Sequence, residues 1–578
     1  MNTRKPVVWG VIALATLGLA LSGCGTGGNA PATTTTSTGA SAPVSASTSA
    51  APKGPIDDAH SKGAMTDYAL GKTFKATEPV EISLLYRNHS NYPVKDDWMI
   101  FTALKANQNV TFKRTDVDLA DWQTKRGLYI TADPTEPEVI PVFYSGEETQ
   151  YVSSGALLPI SDYVQYMPNF QKDLQTFGLS NYLDTKRQAD GKYYQLPGLM
   201  ELANVQYSVI VRDDFWQAAG LSADPKNLDE LKADLQALKD SGKCKVPLSA
   251  GNNAKDILSV WGPQYDTLLG DWAIQNGAQY WDGTKYTAAA AQDGAKTVTA
   301  YLADLVSAGL MDKDSMTQGA SNNDASDQKL VNGTSCASTG NDQDANRLQQ
   351  QLKSQGADTT VHLLTLPQGP DGTIHITGGQ RFSSGLVFGS TLKNDPHFLA
   401  ILQLVDWLYY SPEGVEFAQW GVACPAGVTD DTKCTYTKDA SGKRTLLPNV
   451  NNAQGLNPGE NRKMLTVDYG FSNGVFWPAN GTFKDLMLSY YSPIKANFVN
   501  RIAGMVERPT APATPMDQAT LDQVAVYAQP LRDMQNQWTS DFIVGNKSVA
   551  NDWDAYQAAL KGAGVDDLVK LYNDHVKK

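Results

Sequence analysis

The sequence predicts an α/β protein large enough for two lobes. Apolar runs of strand length alternate with helical stripes, the pattern of βαβ units with parallel strands. The chain has 578 residues, more than a single hydrophobic core usually serves. An alternating run over 80–86, Val80-Glu81-Ile82-Ser83-Leu84-Leu85-Tyr86, opens the globular body as a first strand.

Ahead of that body stands a different kind of sequence. Arg4 and Lys5 precede an apolar run over 7–21, which ends in Leu21-Ser22-Gly23-Cys24. Basic, apolar and small residues in that order predict a secretory signal over 1–23. The run is shorter than the roughly 20 apolar residues that span a bilayer. Its end resembles the lipobox of bacterial lipoproteins, which implies a diacylglycerol on Cys24 and a protein tied to the outer face of the cell membrane. Residues 24–55 are nearly all Ala, Ser, Thr, Gly and Pro. They predict a flexible tether with a reach of roughly 30 Å. Residues 56–79 are intermediate and predict a partly ordered lead-in.

Within the body, a polar and aromatic loop from Arg87 to Tyr92 follows the first strand. A helix is predicted over 96–106, and further strands over 110–117 and 138–144. In open α/β sheets ligands sit beyond the carboxyl ends of the strands, so the loops starting at Arg87, Asp118 and Ser145 are candidates. An extended run covers 205–212. Asn227 and Glu230 predict the start of a helix with Leu228, Leu231, Leu235 and Leu238 on one face. A strand follows over 245–248. Asp395-Pro396 opens a helix through 408, and the chain closes on a helix over 566–575.

Lys and Arg number 48 against 61 Asp and Glu, a net charge of −13. That excludes a nucleic-acid partner, because phosphate backbones need clustered cations. Beyond Cys24 the cysteines are Cys244, Cys336, Cys424 and Cys434. Their even number in an exported chain predicts two disulfides, with no zinc spacing among them. Of three possible pairings, the short loop between Cys424 and Cys434 favours their joining each other. Cys244 is then left to Cys336.

Four stretches together resemble the extracellular solute-binding proteins of ABC importers, in the large oligosaccharide-binding branch of Gram-positive lipoproteins. They are Gly191-Lys192-Tyr193-Tyr194-Gln195-Leu196-Pro197, the run from Val211 to Leu221, Tyr410-Ser411-Pro412-Glu413-Gly414 with Gln419-Trp420-Gly421-Val422, and Phe542-Ile543-Val544-Gly545 with Asp552-Trp553-Asp554-Ala555-Tyr556. The departure is the Cys-bounded loop at 424–434. The resemblance implies a two-lobed, periplasmic-binding-protein-like fold of type II, with crossings near 202–208, 382–386 and 423–433. Lobe 1 would comprise 80–204 and 383–424, and lobe 2 would comprise 205–382 and 425–578. It further implies a monomer without a cofactor that binds an oligosaccharide between its lobes. That monomer performs no chemistry and delivers its solute to the permease subunits.

A sugar site needs flat apolar faces and hydrogen-bonding side chains. The candidate platforms are Tyr144, Trp261, Tyr265, Trp272, Phe471 and Trp477, each of them equally suited to core packing. The polar candidates are Arg87, His89, Glu147, Gln206, Asn341, Asp342 and Arg381, each also readable as surface. Gly470-Phe471-Ser472-Asn473-Gly474 matches a serine-hydrolase pattern, but only His575 follows it. Asp342-Gln343-Asp344-Ala345-Asn346 begins like a calcium loop without its glycine, so no metal is expected. A surface glycosidase or esterase, or a peptide binder, is the competing reading.

Overall fold

A computed structural model describes residues 56–132, 139–144, 146–203, 205–270, 279–317, 324–378, 381–459, 461–477 and 482–577. The signal, Cys24, the tether and Trp272 lie outside them.

The alternating apolar runs form strands β1 (Val80–Asn88), β2 (Val110–Asp118), β3 (Val139–Phe143), β4 (Gln195–Leu199), β5 (Ser208–Arg212), β6 (Val246–Leu248), β7 (Ser335–Gly340), β8 (Val361–Leu363) and β9 (Phe382–Phe388). Five of them build one sheet in the order β2-β1-β3-β9-β4, and four build another in the order β8-β5-β7-β6. The first three strands run parallel, as βαβ units require, while β9 is antiparallel to both β3 and β4. In the second sheet only β6 and β7 are parallel. The sheets are therefore mixed, because β5 and β9 enter from crossings and not from helical connections.

The helices that matter below are α1 (Trp122–Ala132), α2 (Lys255–Trp261), α3 (Asp342–Ser354), α4 (Phe398–Tyr410) and α5 (Gln518–Val544). The run at 395 starts its helix later than the sequence suggests. Asp395 closes a 3-10 turn, and its carboxylate accepts from the His397 amide at 2.6 Å, so α4 begins at Phe398. The lead-in packs more fully than its composition suggests. Phe74 and Ala76 are buried, and Tyr68 donates to Asp406 on α4 at 2.9 Å. Asp406 also accepts from the Asn169 and Phe170 amides, which pins three segments to one buried carboxylate.

Each sheet has its own apolar core. One cluster gathers Leu84, Tyr86, Phe143, Leu196, Val387 and most of α4. The second sheet is covered on both faces, by a cluster containing Trp261, Leu302 and Phe542 and by one containing Ile210, Leu348 and Phe498. Residues expected in lobe 2, among them Tyr436, Leu446, Val450, Phe471 and Tyr490, bury their side chains in the first core. The chain passes from the first core to the second sheet only between Tyr490 and Ile494, some 60 residues after the crossing expected at 423–433. The apolar side chains beyond the Cys-bounded loop would be stranded in water if the chain left the first core there.

Both disulfides form as expected, Cys244–Cys336 and Cys424–Cys434, with Cα separations of 5.6 and 5.0 Å. The first joins two strands that pair in parallel, Val246 opposite Ser335.

Beside the shorter bridge, Glu416 accepts from Tyr436 at 2.6 Å, Lys438 at 3.0 Å and Arg444 at 2.6 Å. Burial opposes its ionisation, but these donors outweigh burial and hold its carboxyl down to about 2. A depressed carboxyl stabilises the fold above its unfolded value near 4.5 and loses that contribution as pH falls towards 2. Acid unfolding of the Glu416→Gln variant should therefore show a shallower loss between pH 4.5 and 2 than the parent shows. Equal slopes would refute this role.

Candidate functional site

The carboxyl ends of β1 and β3 carry the first group of functional side chains. Asn88, the last residue of β1, donates to Asp118 at 2.9 Å and accepts from the Val94 amide at 2.9 Å, which fixes the loop between them. In that loop His89 and Tyr92 stack with ring centres 4.3 Å apart and planes 10° apart. Nδ1 of His89 accepts from the Asn91 amide at 3.1 Å. Partial burial and then the Arg87 charge lower the His89 pKa, and with Nδ1 accepting, the neutral ring carries its proton on Nε2. Arg87 lies near Tyr92, and burial raises the Tyr92 phenol against the pull of the Arg87 charge. Tyr144 adds to the field at Tyr92, so Arg87, His89, Tyr92 and Tyr144 form one cluster. A Cβ on Gly474 would stand 3.5 Å from the Arg87 guanidinium, which brings the 470–477 loop to the same place.

Tyr144 owes its exposure to a backbone irregularity. Val142 has φ of +59°, a conformation that costs a β-branched residue energy. The β3–β9 register skips at this point, with Phe143 opposite Gly385 and Pro141 opposite Leu386. This bulge re-aims the residues that follow it. Tyr144 is consequently 46% exposed beside a fully buried Phe143. Ser472, in the neighbouring loop, also has a positive φ of 58°. Strain of this kind persists where the surroundings over-determine it, and it gathers at binding sites.

The second group flanks the first crossing, on the side of β5 and β7. Tyr207 lies near Asn341, and burial raises its phenol, helped by the nearby charges of Asp256 and Asp344. Asn341 caps α3 by accepting from the Gln343 and Asp344 amides at 2.9 and 3.0 Å. The stretch from Asp342 to Asn346 is thus the first turn of a helix, and no ion-binding loop forms there. Asp342 is 4% exposed and pairs with Lys495 at 3.1 Å. Beyond β6, Asn252, Asn253 and Ala254 take φ of 50°, 53° and 56°, three left-handed residues in a row. Asn252 donates to Asp256 at 3.1 Å, and burial lifts the Asp256 carboxyl to about 6 against that bond. Gln206 lies half-buried next to Tyr207.

Several expected ligand contacts have other work. Trp261 is 1% exposed and meets Tyr301 edge-on in the second core, because the apolar face of α2 turns it inward. Tyr265 packs against the same core, and its carbonyl closes on Gly294, where a Cβ would lie 1.8 Å from its oxygen. Phe471 is fully buried against Phe417, and Trp477 packs on Tyr490. Arg381 donates to the carbonyls of Met200, Phe177 and Glu201 at 3.1, 3.0 and 2.7 Å, bracing two crossings rather than presenting a charge. Glu147 accepts from the Tyr144 amide at 2.9 Å, from Gln123 at 2.7 Å and from Arg126 at 2.8 Å. It stands behind the tyrosine as its support.

Tyr92 and Tyr207 were not among the expected residues. The signal for both was present, since each is an aromatic residue directly beside a strand end. The serine of the hydrolase-like pattern, Ser472, is engaged by a tyrosine. Its Oγ accepts from Tyr490 at 2.6 Å, while His575 bonds Leu571 at the end of the last helix. Among the described residues no group of three or more His, Cys, Asp or Glu could hold a metal, and no helix is long and apolar enough to cross a membrane.

The family model for bacterial extracellular solute-binding proteins matches residues 99–420. No curated protein matches. Among solved structures, the alginate-binding protein AlgQ2 without calcium ion is 17% identical, with a TM-score of 0.63 over 87% of this chain and 99% of its own. The Streptococcus pneumoniae substrate-binding protein FusA in complex with kestose is 19% identical, with a TM-score of 0.60 over 86% and 98%. A solute-binding protein from Bifidobacterium longum infantis, described as binding HMO and associated with an ABC transporter, is 17% identical, with a TM-score of 0.59 over 87% and 100%. These similarities give the chain its two-lobed solute-binding fold. With more than half of its length covered by the family model, the chain belongs to the bacterial extracellular solute-binding proteins.

Proposed function

We propose that this protein captures an oligosaccharide between its two α/β units and hands it to the permease of an ABC importer. The observation that carries this reading is Tyr144, an aromatic face held in solvent by a strained bulge and set beside Arg87, His89 and Tyr92. An exposed ring stacks on the C–H face of a pyranose, while guanidinium, imidazole and phenol satisfy its hydroxyls. Tyr207, Asn341 and Gln206 on the other unit supply further donors and acceptors. The kestose-bound and alginate-binding relatives in fold favour a saccharide over a peptide. The Ser472 hydroxyl, bound to Tyr490, argues for binding without turnover. In this reading Cys24 carries the lipid, the 24–55 tether lets the monomer reach the permease, and no cofactor takes part.

The test is a panel of oligosaccharides scored first for products and then for thermal shift. One member at 100 times its Kd should stabilise the protein by ~2.7 kcal/mol and stay intact. Hydrolysis at enzymic rates, or a response to peptides with none to glycans, would overturn the assignment.

A further inference from the structure

His362 lies on β8 opposite Val211, towards the end of β5 remote from the first crossing. Its side chain is 18% exposed and meets a carboxylate at each ring nitrogen. Nδ1 stands 2.5 Å from Asp213, at the start of the helix Asp213–Ala218, and Nε2 stands 3.3 Å from Asp224 in the loop beyond that helix. Carboxylates only accept, and a neutral imidazole has one donor, so only the imidazolium serves both. Asp213 also takes the Thr360 hydroxyl. Asp224 accepts from the Thr365 amide at 2.7 Å and pairs with Arg501 at 3.3 Å. Two cations therefore face two carboxylates. Loss of the His362 proton would leave one negative charge in excess and set one carboxylate against a ring lone pair. Arg501 ends the helix Pro493–Arg501, the first element after the chain enters the second sheet, and it also donates to the Leu363 carbonyl. Near the start of the same helix Lys495 pairs with Asp342, beside Asn341.

We propose that His362 is a pH-sensitive clasp: with both ring nitrogens protonated it ties β8 to the Asp213 and Asp224 segments and, through Asp224, to the helix Pro493–Arg501, and it lets go when the proton leaves. Burial works against the imidazolium, but the bonds to Asp213 and Asp224, and then their charges, raise the His362 pKa above its ordinary value of 6.5. Burial likewise opposes both carboxylates, yet the His362 bond and their other donors hold each below its ordinary value. A group whose folded pKa is raised stabilises fully below its unfolded value and loses that contribution as pH rises through its folded value. The clasp is therefore tight in mild acid and slack in alkali, the opposite direction to Glu416. Asp234 titrates nearby, its carboxyl lifted to about 6 by burial and then by the Glu230 and Asp224 charges. The Trp216 ring, edge-on to the imidazole at 6.0 Å, is uncharged.

Nuclear magnetic resonance of the full chain with carbon-13-labelled histidine reads the titration directly, the His362 signal being the one missing from His362→Gln. Its midpoint should lie above 6.5 and should fall in Asp224→Asn, which removes one of the two carboxylates. Urea unfolding of the parent and of His362→Gln between pH 5.5 and 9 reads the consequence. Comparing the two proteins at each pH cancels Asp234 and Glu416, which both retain. The parent's advantage should be greatest at pH 5.5 and should shrink by about fivefold or more in unfolding constant by pH 9. A midpoint at or below 6.5, or one that Asp224→Asn leaves in place, would overturn the clasp. So would a gap between the two proteins that stays constant or widens as pH rises.

Discussion

Replacing Cys244 and Cys336 together by alanine should lower the unfolding free energy by ~4.6 kcal/mol, and replacing Cys424 and Cys434 should lower it by only ~2.7 kcal/mol. The difference comes from loop length in the unfolded chain. The first bridge spans 92 residues and the second spans 10, and each closes a loop that the reduced chain leaves open. The native contacts argue in the same direction. Cys336 is fully buried in β7 within the second core, and Lys245, next to Cys244, donates its amide to Thr334 at 2.9 Å. Losing that bridge removes a covalent tie beside the β6–β7 pairing, whereas the shorter bridge closes a mostly exposed loop that precedes the Glu416 network. Urea unfolding of the two double variants, compared by linear extrapolation, makes the measurement. Equal losses, or a larger loss for the 424–434 pair, would show that the unfolded-chain account is wrong for this protein.

The strands and the disulfides were legible because their signals are local or countable. Alternation gives β1 and β2 within two residues, and four cysteines permit only three pairings. The crossing after Tyr490 was not legible. The Cys-bounded loop stands where the resemblance implied a crossing, and nothing local marks Tyr436, Leu446 and Phe471 as belonging to the first core rather than the second. Burial is a property of the whole packing, and a sequence shows residue type without showing which side of a sheet receives it. The same limit explains the aromatic candidates. Trp261 sits next to Gly262-Pro263 and Trp477 sits in a loop rich in glycine, so both were open to stacking on a ligand as well as to packing, and each fills a core. Tyr144 is the converse. Alternation along β3 gives no warning of the skipped register at Val142, and it is that skip which turns the ring outward. Asn252-Asn253 is a strained stretch with a readable cue, since asparagine tolerates the left-handed region better than most residues with a Cβ.

Glu147→Ala should cost ~3–5 kcal/mol of stability, the loss expected when one partner of a buried ion pair is removed. Arg126 is 1% exposed and lies 4.0 Å over the Phe143 ring, so without Glu147 its charge has little access to water. Its remaining bonds, to the Val142 carbonyl at 3.3 Å and to Gln123 at 2.6 Å, are neutral acceptors that compensate a cation only in part. The same substitution takes the acceptor from the Tyr144 amide and so loosens the ring from behind. Saccharide affinity should fall with stability in this variant. Tyr144→Ala provides the contrast: the ring is 46% exposed, so its removal should reduce affinity by about ten- to a hundredfold and leave stability nearly unchanged. The double variant Arg126→Met with Glu147→Leu separates the two roles, because removing both charges relieves the unpaired cation and should recover most of the lost stability. It does not restore the acceptor for Tyr144, so affinity should stay low. Denaturant unfolding and calorimetry on the same four proteins read both quantities. If Glu147→Ala loses affinity with less than ~1 kcal/mol of destabilisation, the carboxylate touches the ligand directly, and the supporting role assigned to it here is wrong.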